Sequence, residues 1–315
     1  MVVQVRATGI CRSDWHAWKG HEEVKLPHIG GHEFSGVVVA VGADVAGFSG
    51  GERVTVPFVN GCGRCSWCRS GQAHVCPDQT QPGFTHPGSF AERVAVRAAD
   101  FNLVRLPDAV DFVSAAALGC RFATAYHALT QQSSLGAGQW LAVFGCGGVG
   151  LSAVMIGRAL GARVLAVDPS EAARARAAHL GADAGLAEAD PTRIAQLTDG
   201  GPHVTLDALG SGSIADVAIR SLRRRGRHVQ VGLMMDSDAA APLPWGAVIA
   251  KELHVVGSHG MPAGEYPAML DLMASGRLDP SRLVGRVVTL GDVGAELAAM
   301  DEPIPATPGL VVAEL

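Results

Sequence analysis

The first residues of the chain alternate. From Met1 to Arg6 apolar and polar positions follow one another with a period of two, the pattern of a half-buried strand. Residues 36–42 form a β-branched run closed by glycine, which predicts a buried strand, and residues 51–57 and 89–96 repeat that texture. Residues 11–18 read as a loop or short helix. From 60 to 87 the apolar rhythm gives way to cysteines and turn formers. This first part predicts a β-rich, barrel-like domain whose loops carry polar chemistry.

The texture changes near Ala115. Residues 115–120 lead into a helical stretch over 123–129. Short apolar strands are then predicted at 140–144, 163–168, 204–207, 227–232 and 253–257, with helices between them. The clearest helices cover 151–160 and 171–180, the second started by Pro169 and Ser170. Such alternation specifies a doubly wound parallel sheet. Beyond residue 260 a helix over 265–275, a strand over 285–290, a helix over 293–300 and a last strand over 310–313 are expected. No internal repeat or low-complexity segment interrupts the series.

At 315 residues, 48% of them hydrophobic, the chain has material for two domains with cores of their own. The net charge of −5 argues against nucleic acid as a partner, which would want a clustered basic surface. The one basic run, Arg223-Arg224-Arg225 with Arg227, reads as a solvated helix end. No charged segment followed by an apolar one opens the sequence, and no apolar run reaches the length of a membrane span. The expectation is a soluble cytoplasmic protein with no membrane partner. In that compartment seven cysteines, four of them clustered, favour metal over disulfides.

That cluster is Cys62, Cys65, Cys68 and Cys76. Four thiolates at this spacing wrap one Zn²⁺ tetrahedrally and leave no position for a substrate, so the site is structural. It would contribute folding energy to a lobe with few core residues. A second motif, Gly145-Cys146-Gly147-Gly148-Val149-Gly150, follows a predicted strand and opens a predicted helix. Asp168 ends the next strand. In that context the glycines let the backbone approach a pyrophosphate at the helix N-terminus, and Asp168 accepts from the adenosine ribose hydroxyls. Its charge opposes a 2′-phosphate, which favours NAD over NADP. Cys146 is then a small loop residue. Cys11, His32 and Cys120 are capable metal ligands, but spacing alone does not join them.

Gly9-Ile10-Cys11-Arg12-Ser13-Asp14, Gly31-His32-Glu33, the four-cysteine lobe, Leu118-Gly119-Cys120 and the glycine loop stand in that order. In this combination essentially the whole chain resembles the zinc-dependent alcohol dehydrogenases of the medium-chain dehydrogenase/reductase family. The resemblance implies a GroES-like β-barrel catalytic domain over 1–121, with the structural zinc lobe at 60–87. It implies a Rossmann NAD-binding domain over 122–260 and a return to the catalytic domain over 261–315. By the same resemblance Cys11, His32 and Cys120 hold a catalytic Zn²⁺, making two Zn²⁺ per chain. Glu33 is a nearby carboxylate able to approach the metal, and Asp14 orients His32. Ser13 and His16 form a proton relay, Arg12 meets the pyrophosphate, and Phe58 walls the pocket. Thr124 and Val149 press on the nicotinamide. Trp15 and Trp18 either narrow the pocket or pack in the core. The implied reaction moves a hydride between a small alcohol, or its aldehyde or ketone, and NAD. The implied assembly is a homodimer or homotetramer, with Val255 and Val256 near the sheet edge that pairs.

Two departures from the family pattern stand out. Relatives begin some tens of residues earlier with a strand pair that helps close the barrel, so an unpaired strand edge is expected at the start of this chain. Where relatives carry a Gly-Arg pair before the last strand, this chain has Pro308-Gly309-Leu310, which removes one basic contact to the cofactor. Polyol and threonine dehydrogenases of the same family are the alternative activity. A cysteine at position 120, rather than a carboxylate, favours the alcohol group. A relative that only binds nucleotide and structural zinc is the alternative from another class.

Overall fold

The computed structural model describes residues 1–302 and 309–315. Pro308, one of the departures above, lies outside them. The chain forms two compact units, Met1–Ala123 with Gly260–Leu315, and Thr124–His259.

In the first unit β1 (Val2–Ile10), β2 (Glu33–Ala40), β3 (Arg53–Thr55), β4 (Arg93–Ala95) and β5 (Val104–Arg105) come from the N-terminal part. In the second unit stand β6 (Trp140–Phe144), β7 (Arg163–Val167), β8 (Ala184–Leu186), β9 (Val204–Asp207), β10 (Arg227–Gln230) and β11 (His254–Gly257). The first unit is completed by β12 (Val284–Thr289) and β13 (Leu310–Glu314).

The first unit's sheet runs β12-β13-β1-β2-β3-β5, with β4 also on β1. Among the described residues no pair closes that path into a barrel. One face buries Val3, Val5, Val38, Val54, Val56 and Val94, β-branched positions within the expected strands, together with Phe34, which precedes the expected start of β2. The first strand is not the unpaired edge expected of it. Val2–Gln4 pair with β2 on one side and β4 on the other, Ala7–Gly9 pair with β2 and β13, and Ile10 pairs with β13. The C-terminal strand supplies the partner, a long-range pairing that no local pattern announces.

The second unit's sheet is parallel throughout, in the order β11-β10-β9-β6-β7-β8. Its central strand β6 is buried at all five positions, as a strand covered by helices on both faces must be. The helices start on side-chain caps: Ser170 Oγ accepts from the Ala173 N–H (3.3 Å), and Asp190 Oδ1 from the Thr192 N–H (2.7 Å). Strand order reverses between β6 and β9, so a crevice forms at their carboxyl ends, where open α/β sheets bind ligands.

Two short strands, β5 and β8, escape the sequence pattern because two or three residues carry no readable period. The basic run is solvated at Arg224 and Arg225, which are exposed, but Arg223 and Arg227 are partly buried and tied down. Arg223 donates to Gly201 O (2.7 Å), His203 Nε2 (2.7 Å) and Thr198 O (3.2 Å), and Arg227 to Gln132 O (2.6 Å). Carbonyls of the turn that follows the helix Pro191–Leu197 require donors, and Arg223 supplies them. Among the described residues no helix is long and apolar enough to cross a membrane.

Candidate active site

The register of β1 on β2 begins the site. Gly9 lies opposite Glu33, so the residues just past that pair, Cys11 and His32, leave the sheet at the same end. Cys11 then caps the helix Arg12–Trp18. Asp14, in the first turn, accepts the Cys11 N–H at Oδ2 (3.0 Å) and the Gly31 N–H at Oδ1 (3.1 Å). His32 Nδ1–H donates to the same Oδ1 at 2.8 Å. One buried carboxylate thus ties the two segments together and sets the imidazole tautomer.

With Nδ1 engaged, His32 Nε2 has no hydrogen-bond partner, although the residue is fully buried. Cys120 arrives on a wide π-type turn, Leu118–Phe122, a distortion common at functional sites. One donor atom each from Cys11, His32 and Cys120 lies within 4.8 Å of the others. A partnerless buried imidazole nitrogen beside two thiols fits a tetrahedral zinc with its fourth position open.

The charges around this set are unequal. The Cys120 thiol and the Arg121 cation hold Cys11 well below the usual thiol range, against burial. Cys120 moves the other way, raised by its hydrogen bond to Cys11 and by burial. Burial alone would lower His32, but the Asp14 carboxylate overrides it and raises the imidazole.

Glu33 stands outside the donor set. Its Oε1 accepts from the N–H of Cys120 (3.2 Å) and from the N–H (3.0 Å) and Nε–H (3.2 Å) of Arg121. Its Oε2 accepts from Arg121 Nη2. Burial raises the Glu33 carboxyl and the Arg121 cation opposes that rise. The carboxylate therefore braces the backbone of Cys120, a candidate metal ligand. Sequence reasoning missed Arg121, although a cation directly after Cys120 was the available signal.

Around the metal donors, Ser13 Oγ is 3.9 Å from Cys11 Sγ. The Phe58 ring centroid lies 6.0 Å from that of His32, and Phe84, which the motifs did not single out, is closer at 5.2 Å. Arg12 donates to Met300 O and lies 4.6 Å over the Trp15 ring. Trp15 Nε1–H donates to Asp301 Oδ1 (2.7 Å). Trp18 is 54% exposed, which excludes the core role. His16 Nδ1 lies 3.0 Å from His21 Nδ1, a partner the sequence reading did not foresee.

The four lobe cysteines also gather, with one sulfur each within 4.8 Å of the rest and none in a disulfide. The Cys68 N–H donates to Cys65 Sγ (3.4 Å) and the Cys62 N–H to Cys76 Sγ (3.5 Å). The N–H groups of Arg64 and Cys65 lower Cys62 to about 6, whereas burial raises Cys68 and Cys76.

In the second unit Gly148 opens the helix Gly148–Ala159 directly after the loop at the end of β6. A Cβ on Gly150 would overlap the carbonyl oxygen of Gly145, so only glycine closes the turn. Asp168 Oδ2 accepts the Cys146 N–H (2.7 Å), and Oδ1 accepts the Ser170 N–H (2.8 Å). The acidic residue and the glycine loop, 18 residues apart from Gly150 to Asp168, are therefore in direct contact. Burial and the Asp168 charge push the Cys146 thiol up to about 12, and among the described residues it belongs to neither group of gathered metal-capable donors. Gly147 is exposed in this loop, Val149 is partly buried in the first turn of the helix, and Thr124 is buried in the helix Ala123–His127.

Comparison with known proteins places these features in context. Residues 1–108 match the family model described as alcohol dehydrogenase GroES-like domain, and residues 148–275 match zinc-binding dehydrogenase. An alcohol dehydrogenase of Geobacillus stearothermophilus is 34% identical over 286 residues, 89% of this chain and 82% of that protein. A sorbitol dehydrogenase of Halalkalibacterium halodurans is 33% identical over 92% of this chain and 85% of its own length. Among solved structures, an alcohol dehydrogenase from Thermus sp. ATN1 superposes with a TM-score of 0.91 at 32% identity, covering 99% of this chain and 91% of that one. A structure described as an NAD-dependent alcohol dehydrogenase has a TM-score of 0.88 at 28% identity, covering 100% and 91%.

Proposed function

We propose that this chain, which belongs to the zinc-dependent alcohol dehydrogenases of the medium-chain dehydrogenase/reductase family, interconverts a small alcohol with its aldehyde or ketone, with NAD as hydride carrier and two Zn²⁺ per chain. The observation that carries the reading is the buried donor set of Cys11, His32 and Cys120, in which His32 Nε2 has no other partner. Cys62, Cys65, Cys68 and Cys76 would hold the second, structural ion.

When bound, the catalytic ion supplies Lewis-acid polarisation of the alcohol or carbonyl oxygen and the nicotinamide supplies the hydride acceptor or donor. The protein's own groups do the rest. Asp14 keeps His32 protonated at Nδ1, so that Nε2 is the ligand. Glu33 and Arg121 hold the Cys120 backbone. Ser13 Oγ receives the alcohol proton and the His16 imidazole carries it away. Phe58 and Phe84 offer an apolar wall beside His32. The N–H groups after Gly147 and Gly148, at the helix start, receive the pyrophosphate, with Arg12 adding charge, while Gly145 and Gly150 shape the turn that lets it approach. Asp168 selects the unphosphorylated ribose. Thr124 and Val149 contact the nicotinamide.

Assembly into a homodimer or homotetramer through the β11 edge is part of this reading. Val255 and Val256 are half-buried on a strand paired on one side only, which supports it. The mass of the native particle in solution tests that point.

Metal analysis together with turnover tests the function. Two zincs per chain and alcohol-dependent NADH formation are expected. One zinc and no turnover would mean a relative that only binds nucleotide.

A further inference from the structure

The helix Arg12–Trp18 ends in a way that brings two histidines together. Its last turn closes with the Gly20 N–H donating to Ala17 O (3.1 Å) and the His21 N–H donating to His16 O (2.9 Å). This nested pair of bonds is the Schellman ending, and it requires a left-handed residue between them. Gly20 fills that position at φ +78°, in open space. The ending sets the side chain two places past the cap against the side chain three places before it, a contact that is usually apolar. Here the two residues are His21 and His16, and their Nδ1 atoms are 3.0 Å apart. Trp15 stands edge-on to both rings, at 4.9 and 5.3 Å, and is itself held by Asp301, which also pairs with Lys19.

An apolar capping contact needs no imidazoles. A hydrogen bond between two of them joins a half-buried ring, His16, to an exposed one, His21. We propose that His21 is the second station of a proton path that leaves the active site through His16. The proposal rests on the relay reading of His16.

The step balances without any further reagent. Imidazolium His16 gives its Nδ1 proton to Nδ1 of neutral His21, leaving neutral His16 and imidazolium His21. The exposed His21 ring then swings out on the fast timescale of surface side chains and releases that proton to water or buffer. His21 returns to its starting form, and His16, left with its proton on Nε2, regains its starting tautomer by proton exchange with water while the His21 ring is swung out. In carbonyl reduction the same steps run backwards and deliver a proton. The charged groups around the pair suit one transferable proton. Arg12 and His21 disfavour a long-lived charge on His16, as does burial, while Cys11 favours it. Lys19 is neutralised by Asp301, and Glu296, on the helix packed against this one, by Arg286.

The test compares the zinc-loaded enzyme with its His21→Ala, His21→Gln and His16→Ala forms in NAD⁺-dependent alcohol oxidation, in dilute buffer from about pH 6 to 9. His21→Ala and His21→Gln are expected to lower kcat about three- to tenfold at the acid end, with KM unchanged and the loss fading towards the alkaline end. Free imidazole restores the lost rate. In ¹⁵N-labelled protein the Nδ1 signals of His16 and His21 report one shared proton, and His21→Gln shifts the His16 signal. If His16→Ala shows a pH-dependent loss and His21→Ala does not, His21 has no part in the path and the proposal falls while the relay stands. If the pH profile of His16→Ala is unaltered, the relay reading fails and the proposal with it. A loss in His21→Ala that is constant with pH and untouched by imidazole means a capping role only, and overturns the proposal.

Discussion

Glu33 and Arg121 form an ion pair with the carboxylate fully buried, and the same carboxylate accepts the backbone N–H of the metal-ligand candidate Cys120. Opposite charges removed from water are costly to separate, and removing one partner of such a pair costs roughly 3–5 kcal/mol, because the other is left uncompensated. Arg121→Met is therefore expected to destabilise the first unit by about that amount. Glu33→Gln combined with Arg121→Met recovers much of the loss. Urea denaturation of the two single variants and the double variant measures the coupling.

Asp14 joins three backbone or ring donors from two segments, and it fixes which nitrogen of His32 remains free. Asp14→Asn leaves the side chain's shape but removes the charge and one acceptor. Zinc affinity at the three-residue site is expected to fall about 10- to 100-fold, the usual effect of losing such an orienting partner. Competition with a chromophoric chelator reads this directly. The four-cysteine site serves as the internal control.

Gly150 packs against the Gly145 carbonyl with no room for a side chain. Gly150→Ala is expected to open the loop at the helix start and to weaken NADH binding by about tenfold or more, equivalent to about 1.4 kcal/mol. Fluorescence titration of NADH measures the change. Zinc content stays at the wild-type value, because the metal donors lie in the other unit.

His228 gives the second unit a sensitivity to acid. The imidazole is buried between β9 and β10: Thr205 Oγ1–H donates to Nδ1 (3.0 Å), and Nε2–H donates to Gln230 Oε1 (3.1 Å). Burial holds it below its ordinary value, opposed by the Gln230 bond and the Asp207 charge. The unfolded chain takes a proton near pH 6.5, where the folded protein does not. Between the two values the unfolded state binds more protons, so stability rises with pH there and is lost as pH falls below about 6.5. Protection factors of the amides in β9 and β10, corrected for the slower intrinsic exchange at lower pH, are expected to fall from about pH 7 to 5.5, and His228→Gln to flatten that dependence. An unchanged slope in the variant would remove His228 as the cause.

Local chemistry was legible wherever its partners lie within a turn or one strand–helix unit. The spacing of Cys62, Cys65, Cys68 and Cys76 already confines four sulfurs to one lobe. The strand, glycine loop and helix around 140–159 likewise carry their own geometry, because bond lengths and turn types limit so short a segment. The strands β6 and β9 begin and end where the apolar runs do.

The rest was decided by tertiary structure. Cys11, His32 and Cys120 are too far apart in sequence for spacing to select them from seven cysteines and twelve histidines without the resemblance. The register of Gly9 on Glu33 brings the first two to one end of the sheet, and burial of Glu33 against Arg121 seats the third. The pairing of β1 with the C-terminal β13 is of the same kind. Each such contact closes a long loop, so its energy depends on what else the fold has already brought together and leaves no periodic trace in the chain. The sequence by itself determined which side chains are capable of metal and nucleotide chemistry. Their grouping, the counter-charge behind Cys120 and the pairing of His16 with His21 came from the folded chain.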